Sequence, residues 1–249
     1  MTIRDALLNG RRRPRLRGAA ATPASRGDGY EFAELRAYAA GDDARRIDWA
    51  ATARCGELQT RVMLEETALT IASVVDTSGS MNAGRIRAPA RAAQEALRAW
   101  RGAATAEDRW IAVEAGPGEA FDLAASLLRA RRVLPRGAAL LVISDWYDLA
   151  GVDARELAML GARLDCTALV ARDPWHDGLP LAGFVRLRGA EGGRRRAFIG
   201  ETERRNYREA VARRERAVRT QLSGAGWRTG ILAEKDGAAS LRAAFGVRA

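Results

Sequence analysis

Asp76, Ser78 and Ser80 stand at alternate positions in "VVDTSGSM", directly behind an apolar run. In an extended loop, alternate side chains share one side, so a carboxylate and two hydroxyls at this spacing can aim at one point. Such a loop suits four tasks: holding a hard metal ion, cradling a phosphate, carrying a nucleophile, or ending a strand and capping the next helix. A phosphate loop needs G-x-x-x-x-G-K-[ST], and this stretch has no lysine and too few glycines. A nucleophile elbow reads G-x-S-x-G, and "DTSGS" does not. Capping by Asp76 and the serines stays open. A second apolar run ends in an acid at "VISDWYD", which places Asp145 in a comparable position. If the two runs are neighbouring strands, Asp76, Ser78, Ser80 and Asp145 converge. Two carboxylates and two hydroxyls make an all-oxygen set suited to Mg²⁺.

The elements that must position these residues are legible as an alternation of strands and helices. Buried strands are expected over 69–75 and 139–143, with further strands over 110–115, 166–171 and 227–232. Helices are expected over 85–100, 124–133, from about 153, over 201–222 and over 238–245. "GPG" at 116–118 predicts a turn into a short hairpin partner around 120–123, and 185–187 with 195–199 predicts an antiparallel ribbon. The alternation predicts an α/β fold, a doubly wound, mostly parallel sheet covered on both faces. Ligands bind such sheets at the carboxyl ends of strands, where the strand order reverses. Before it come an irregular basic segment over 1–28, with Arg11, Arg12, Arg13, Arg15 and Arg17, and a second segment over 29–66. Residues 67–249 form the main domain.

Composition narrows the function. The 249-residue chain is 47% hydrophobic and 29% charged, the balance of a folded globular protein. A net charge of +10 points to an acidic partner: nucleic acid, anionic lipid or acidic protein. Of 41 basic residues only Lys235 is a lysine, so the arginine load also fits a GC-rich coding bias. His176 is the single histidine, which excludes His-rich zinc sites and leaves one imidazole base for any Ser–His or Cys–His mechanism. Its Pro/Gly loop reads as surface. Cys55 and Cys166 form neither a disulfide framework nor a metal-ligand spacing. The longest apolar run, 138–143, is too short to span a bilayer, and the N-terminus lacks an apolar signal core, so the cytoplasm is the expected location.

The D-x-S-x-S loop with a later strand ending in Asp resembles the metal-ion-dependent adhesion site of the von Willebrand factor type A fold, which is also Rossmann-like. Upstream, "FAELRAYAAGDDARRIDWAATARCGELQTRVMLEE" resembles the hallmark of the bacterial family named domain of unknown function 58, and so does the later "RDPWHDGLPLAGFVRL". The resemblance implies Ser78 and Ser80 as direct ligands of a divalent cation, with Asp76 and Asp145 supporting or acting through water. It implies an acidic group of a partner completing the shell. The threonine that adhesion sites take from a third loop has no counterpart before 139, where Ser126 is the only hydroxyl after the "GPG" turn. The family also implies a MoxR-type AAA+ ATPase partner and a non-enzymatic adaptor role in protein assembly or maturation. Many relatives carry membrane spans; this chain is expected to act without one, docking peripherally on a membrane complex through its arginines. Asp42, Asp43, Arg45, Arg46, Asp48 and Trp49 read either as a partner-binding surface or as a salt-bridged brace, and Thr77 joins them as a candidate partner contact. A nucleic-acid-binding or anionic-membrane-binding basic module is the alternative function.

Overall fold

In the computed structural model the runs 70–75, 139–144 and 165–171 are buried almost end to end, as continuous apolar strands require when both faces of a sheet are covered. The structure describes residues 2–12, 31–39, 42–64, 68–114, 120–179, 182–189 and 193–247. The chain divides into two compact units, one of residues 1–10 with 69–249 and one of residues 11–68.

The larger unit contains α1 (Ile3–Arg12, through residue 10), β3 (Thr70–Val75), α3 (Pro89–Arg101), β4 (Arg109–Ala112), α4 (Leu123–Val133), β5 (Ala139–Ser144), α5 (Ala154–Arg163), β6 (Asp165–Ala171), β7 (Gly183–Arg188), β8 (Arg194–Ile199), α6 (Glu201–Gly224), β9 (Arg228–Leu232) and α7 (Gly237–Ala244). The smaller unit holds β1 (Glu31–Ala37), α2 (Trp49–Cys55) and β2 (Gln59–Leu64). Five strands form one parallel sheet in the order β4-β3-β5-β6-β9. The architecture is the expected doubly wound α/β fold.

Side-chain alternation sorts the core into two layers. Ile71, Leu141, Ile143 and Leu169 face α1, α3 and α7, where Leu7, Ala96, Trp100 and Leu241 are buried. Val74, Leu140, Val142 and Val170 face α4, α5 and α6, with Leu127, Leu160 and Leu222. Two core tryptophans tie their polar N–H to the backbone, Trp100 Nε1 donating to Ala72 O at 3.0 Å and Trp227 Nε1 to Leu157 O at 2.9 Å, whereas the buried Trp146 Nε1 has no partner among the described residues.

Four details differ from the sequence-based expectations. The lead-in opens as a helix, α1. Thr2 and Asp5 cap it reciprocally, with Asp5 N donating to Thr2 Oγ1 at 3.1 Å and Thr2 N to Asp5 Oδ2 at 2.6 Å. Its apolar residues Ile3 and Leu7 are buried in the α3 layer, which a scan of its arginines could not foresee. Second, α3 starts at Pro89 rather than 85. Proline disfavours helical geometry in the residue before it, and Ala88 is extended there. The backbone N–H groups of Arg85 and Ile86 instead donate to the Glu234 carboxylate, each at 2.9 Å. Third, β4 is confined to Arg109–Ala112. Fourth, no strand covers 120–123: Asp122 caps α4 by accepting from Ala125 N at 2.9 Å, and Leu123 belongs to that helix's buried face with Leu127 and Ala130. The "GPG" turn itself lies outside the described residues. The ribbon of β7 and β8 pairs antiparallel as expected.

The smaller unit is a β1–β2 antiparallel pair with α2 between them in sequence. Its acidic residues work as local fasteners. Asp42 takes Arg36 Nη2 at 2.6 Å and Ala39 N at 2.8 Å. Asp43 caps a single turn at Ala44–Arg46. Asp48 caps α2 through Ala51 N at 2.9 Å and holds Arg61 Nε at 2.8 Å.

Candidate functional site

β3 lies between β4 and β5, so the chain leaves β3 to one side and then crosses to the other. The strand order therefore reverses between β3 and β5, and this is the place where a doubly wound sheet opens a crevice at its carboxyl end. Val75 pairs with Ile143 in the ladder, and Asp76 N extends it by donating to Ile143 O at 2.8 Å. The loop after β3 and the loop after β5 thus begin side by side.

Asp76 is buried and fixed by both carboxylate oxygens. Oδ1 accepts from Ser78 N at 2.8 Å, a turn that bends the loop back on itself. Oδ2 accepts from the Ser144 hydroxyl at 2.6 Å, and Ser144 Oγ in turn accepts from Trp146 N at 2.9 Å. The Ser78 and Ser80 hydroxyl oxygens are 2.9 Å apart, and both residues are half-buried. The Ser80 hydroxyl also lies near the Asp145 carboxylate and favours its charged form. Asp145 Oδ1 accepts from Tyr147 N at 2.9 Å. All four residues singled out from the sequence are brought together at the two neighbouring strand ends, with Thr77 exposed beside them. The serines do not cap a long helix; Ser78 precedes one turn at Gly79–Asn82 and makes no side-chain cap there.

Burial pushes the Asp145 carboxyl above its usual range, and the negative charge of Asp76 adds to that, against the nearby Ser80 hydroxyl, the hydrogen bond from Tyr147 N and the charge of Arg214. Two carboxylates at one strand-end crevice, beside two half-buried serines, leave negative charge that a divalent cation would balance. The donors are all hard oxygens, which fits Mg²⁺. No group of three or more His, Cys, Asp or Glu placed to hold a metal ion occurs among the described residues, so a cation here would rely on the hydroxyls and on water.

Several participants were not apparent from local spacing. Ser144 orients Asp76 from inside a strand and is buried; a hydroxyl next to the strand-end acid was its only signal. Trp146 takes φ 59°, the single positive-φ non-glycine among the described residues, and packs edge-to-face on Trp227 at 5.8 Å. The loop after β5 is tied to β6 and α6 as well. Arg214 donates to Asp145 O and lies 3.4 Å over the Tyr147 ring. Tyr147 donates to Asp173 Oδ2 at 3.1 Å, and Tyr207 donates to the same carboxylate at 2.8 Å. Burial and that carboxylate push the Tyr207 phenol above its usual range. Ser126, the hydroxyl nearest in sequence to a third-loop ligand, is buried inside α4. In the smaller unit, Asp42, Asp43 and Asp48 are engaged as described, while Trp49 is 68% exposed.

A family model described as "Protein of unknown function DUF58" matches residues 34–100 and 87–221, a span that holds both the "GDD" and "IDW" motifs and the crevice loops. The chain belongs to the DUF58 family. Among similar proteins are uncharacterized protein Mb1516 of Mycobacterium bovis and uncharacterized protein Rv1480 of Mycobacterium tuberculosis. Each is 31% identical over 234 residues, covering 80% of this chain and 73% of the relative. No solved structure matches the chain. No helix among the described residues of this DUF58 protein is long and apolar enough to cross a membrane.

Proposed function

We propose that the chain is a non-enzymatic adaptor that grips an acidic group of a protein partner through a divalent cation, Mg²⁺, held at the ends of β3 and β5. The observation that carries this reading is the convergence of Asp76, Ser78, Ser80 and Asp145 on neighbouring strand ends at the reversal of strand order. Ser78 and Ser80 would supply direct oxygens, and Asp76 and Asp145 would balance charge directly or through water. The bound cation would leave a coordination position for a partner's carboxylate, with Thr77 at the rim. An adaptor is favoured over a hydrolase because neither serine is paired with an imidazole base. His176, the only imidazole, contacts Asp173 O at 2.9 Å and Asp177 Oδ1 at 3.1 Å instead. The family resemblance supplies the partner, a MoxR-type AAA+ ATPase, and the role, assembly or maturation of other proteins in the cytoplasm.

The test is a pull-down from native cell extract with the wild-type chain and Asp76→Ala, each with Mg²⁺ and with EDTA. Capture of an AAA+ ATPase by the wild type in Mg²⁺ only, and its absence from the Asp76→Ala sample, is the expected result. Recovery of the same proteins in all four samples, or of nucleic acid alone regardless of EDTA, would sink this reading.

A further inference from the structure

The ribbon of β7 and β8 presents a face that nothing in the crevice explains. Its register pairs Phe184 with Phe198, Arg186 with Arg196, and Arg188 with Arg194. Successive side chains alternate between faces, so these six share one side, and the other side carries the buried Ile199 with the half-buried Val185 and Ala197. The outward side is exposed throughout: Phe184 is 90% and Phe198 55% accessible, and their rings meet edge-to-face at 5.1 Å. No carboxylate pairs with these four arginines among the described residues. Glu191, in the connecting loop, lies outside them.

This arrangement is costly without a ligand. Like charges directly opposite on a two-stranded ribbon destabilise it, and here two such pairs follow each other along the strands. Large exposed phenyl rings beside them add unburied apolar surface. A polyanion that also offers flat apolar faces relieves both. α6 is a weaker candidate despite its arginines, because Glu203, Glu209 and Glu215 are interleaved with them.

We propose that this ribbon face binds single-stranded nucleic acid, an unpaired base stacking on the Phe184–Phe198 pair while successive phosphates run past the two arginine pairs. From Phe184 to Arg188 the strand rises about 14 Å, enough for a few nucleotides. The fit is to single strands because a duplex buries its base faces in its own stack. A bilayer fits less well. A hairpin that dips into lipid needs apolar residues at its turn, whereas this turn reads "GAEGG" and the phenylalanines sit at the ribbon's other end, next to α6. An acidic peptide would satisfy the arginines but gives the rings no flat partner. The site is independent of the β3–β5 crevice, so it stands or falls separately from the adaptor reading.

Fluorescence anisotropy of the full chain with a labelled oligouridine of about a dozen nucleotides tests the proposal. Four phosphate contacts predict a slope of log K on log salt near about −3, and Arg186→Gln with Arg196→Gln should reduce it to about half. Phe184→Ala with Phe198→Ala should weaken binding about tenfold or more. EDTA should change nothing. Because opposed like charges are removed, the double arginine variant should melt no lower than wild type, which separates lost contacts from lost fold. Binding of a blunt duplex or polyphosphate as tightly as oligouridine would overturn the proposal. So would oligouridine binding indifferent to the phenylalanine substitutions, absence of binding, or Phe-dependent capture by phosphatidylglycerol vesicles without oligouridine binding.

Discussion

At the scale of single residues, the crevice is built around orientation rather than around a reactive group. Asp76 spends one oxygen on Ser78 N and the other on Ser144, so its carboxylate has one rotamer and one direction. The two loop hydroxyls are hydrogen-bonded to each other beside Asp145, and that bond would be exchanged for bonds to a cation. Ligand linkage makes this measurable. Mg²⁺ at about one hundred times its Kd should add about 2.7 kcal/mol, a rise in Tm of roughly 5–10 °C for a chain of this size. Asp76→Ala and the double change Ser78→Ala, Ser80→Ala should abolish the rise. Asp145→Asn should also abolish it, while melting higher than wild type in EDTA, because the neutral amide removes a half-buried charge from beside Asp76. A Mg²⁺ increment that survives in all three variants would place the cation elsewhere.

Between elements, the fold depends on a few charged fasteners as well as on apolar layers. Arg87 forks onto Glu95 of α3 at 2.6 and 2.7 Å and also donates to the carbonyls of Glu234 and Lys235. Glu95 accepts from Gly237 N at 3.0 Å, so one carboxylate joins the segment before α3, α3 itself and the first turn of α7. Gly237 is required there: a Cβ at that position would lie 1.8 Å from Ala92 O. The hydrogen bonds from Arg87 and then from Gly237 N hold the Glu95 carboxyl down to about 2, against an ordinary 4.5. A folded-state value below the unfolded one stabilises the fold above the unfolded value, and that stabilisation is lost as pH falls through the folded one. Glu95→Gln should therefore lower Tm at neutral pH, with the difference closing between pH 4.5 and about 2. Thermal melts of both proteins across that window provide the check; a difference independent of pH would mean that shape, not charge, holds the joint.

Over the whole molecule, the chain's order and its packing order part company. Residues 1–10 belong to the unit completed by residues 69–249, although residues 11–68 form a unit of their own in between. Leu7 is 1% exposed in the layer with Ile71, Trp100 and Leu141. Leu7→Ala should accordingly cost about 2–5 kcal/mol, as burial in a shared core predicts. A surface helix would lose far less, so chemical denaturation monitored by tryptophan fluorescence distinguishes the two.

The sheet and the location of the candidate site were legible in the sequence because both are local. Apolar runs such as 139–143 are buried whatever covers them, and an acid at a run's end marks the strand's carboxyl edge. The "GDD", "IDW" and D-x-S-x-S motifs are likewise written in consecutive residues. What escaped that reading depended on partners far away in sequence. α1 has too few apolar residues to declare itself, and only the core layer assembled by α3 and α7 gives Ile3 and Leu7 somewhere to go. Tyr147, Asp173, Tyr207 and Arg214 come from three segments, and neither their contacts nor the role of Ser144 exists until β5, β6 and α6 are stacked. The arginines of β7 and β8 were visible as a count of charge, but their opposition in pairs follows from register, a property of two strands together. The sequence by itself determined which residues could bury, bend or bind. Tertiary structure alone decided which of them meet, because a side chain's neighbours are set by packing across the chain and not by the chain's order.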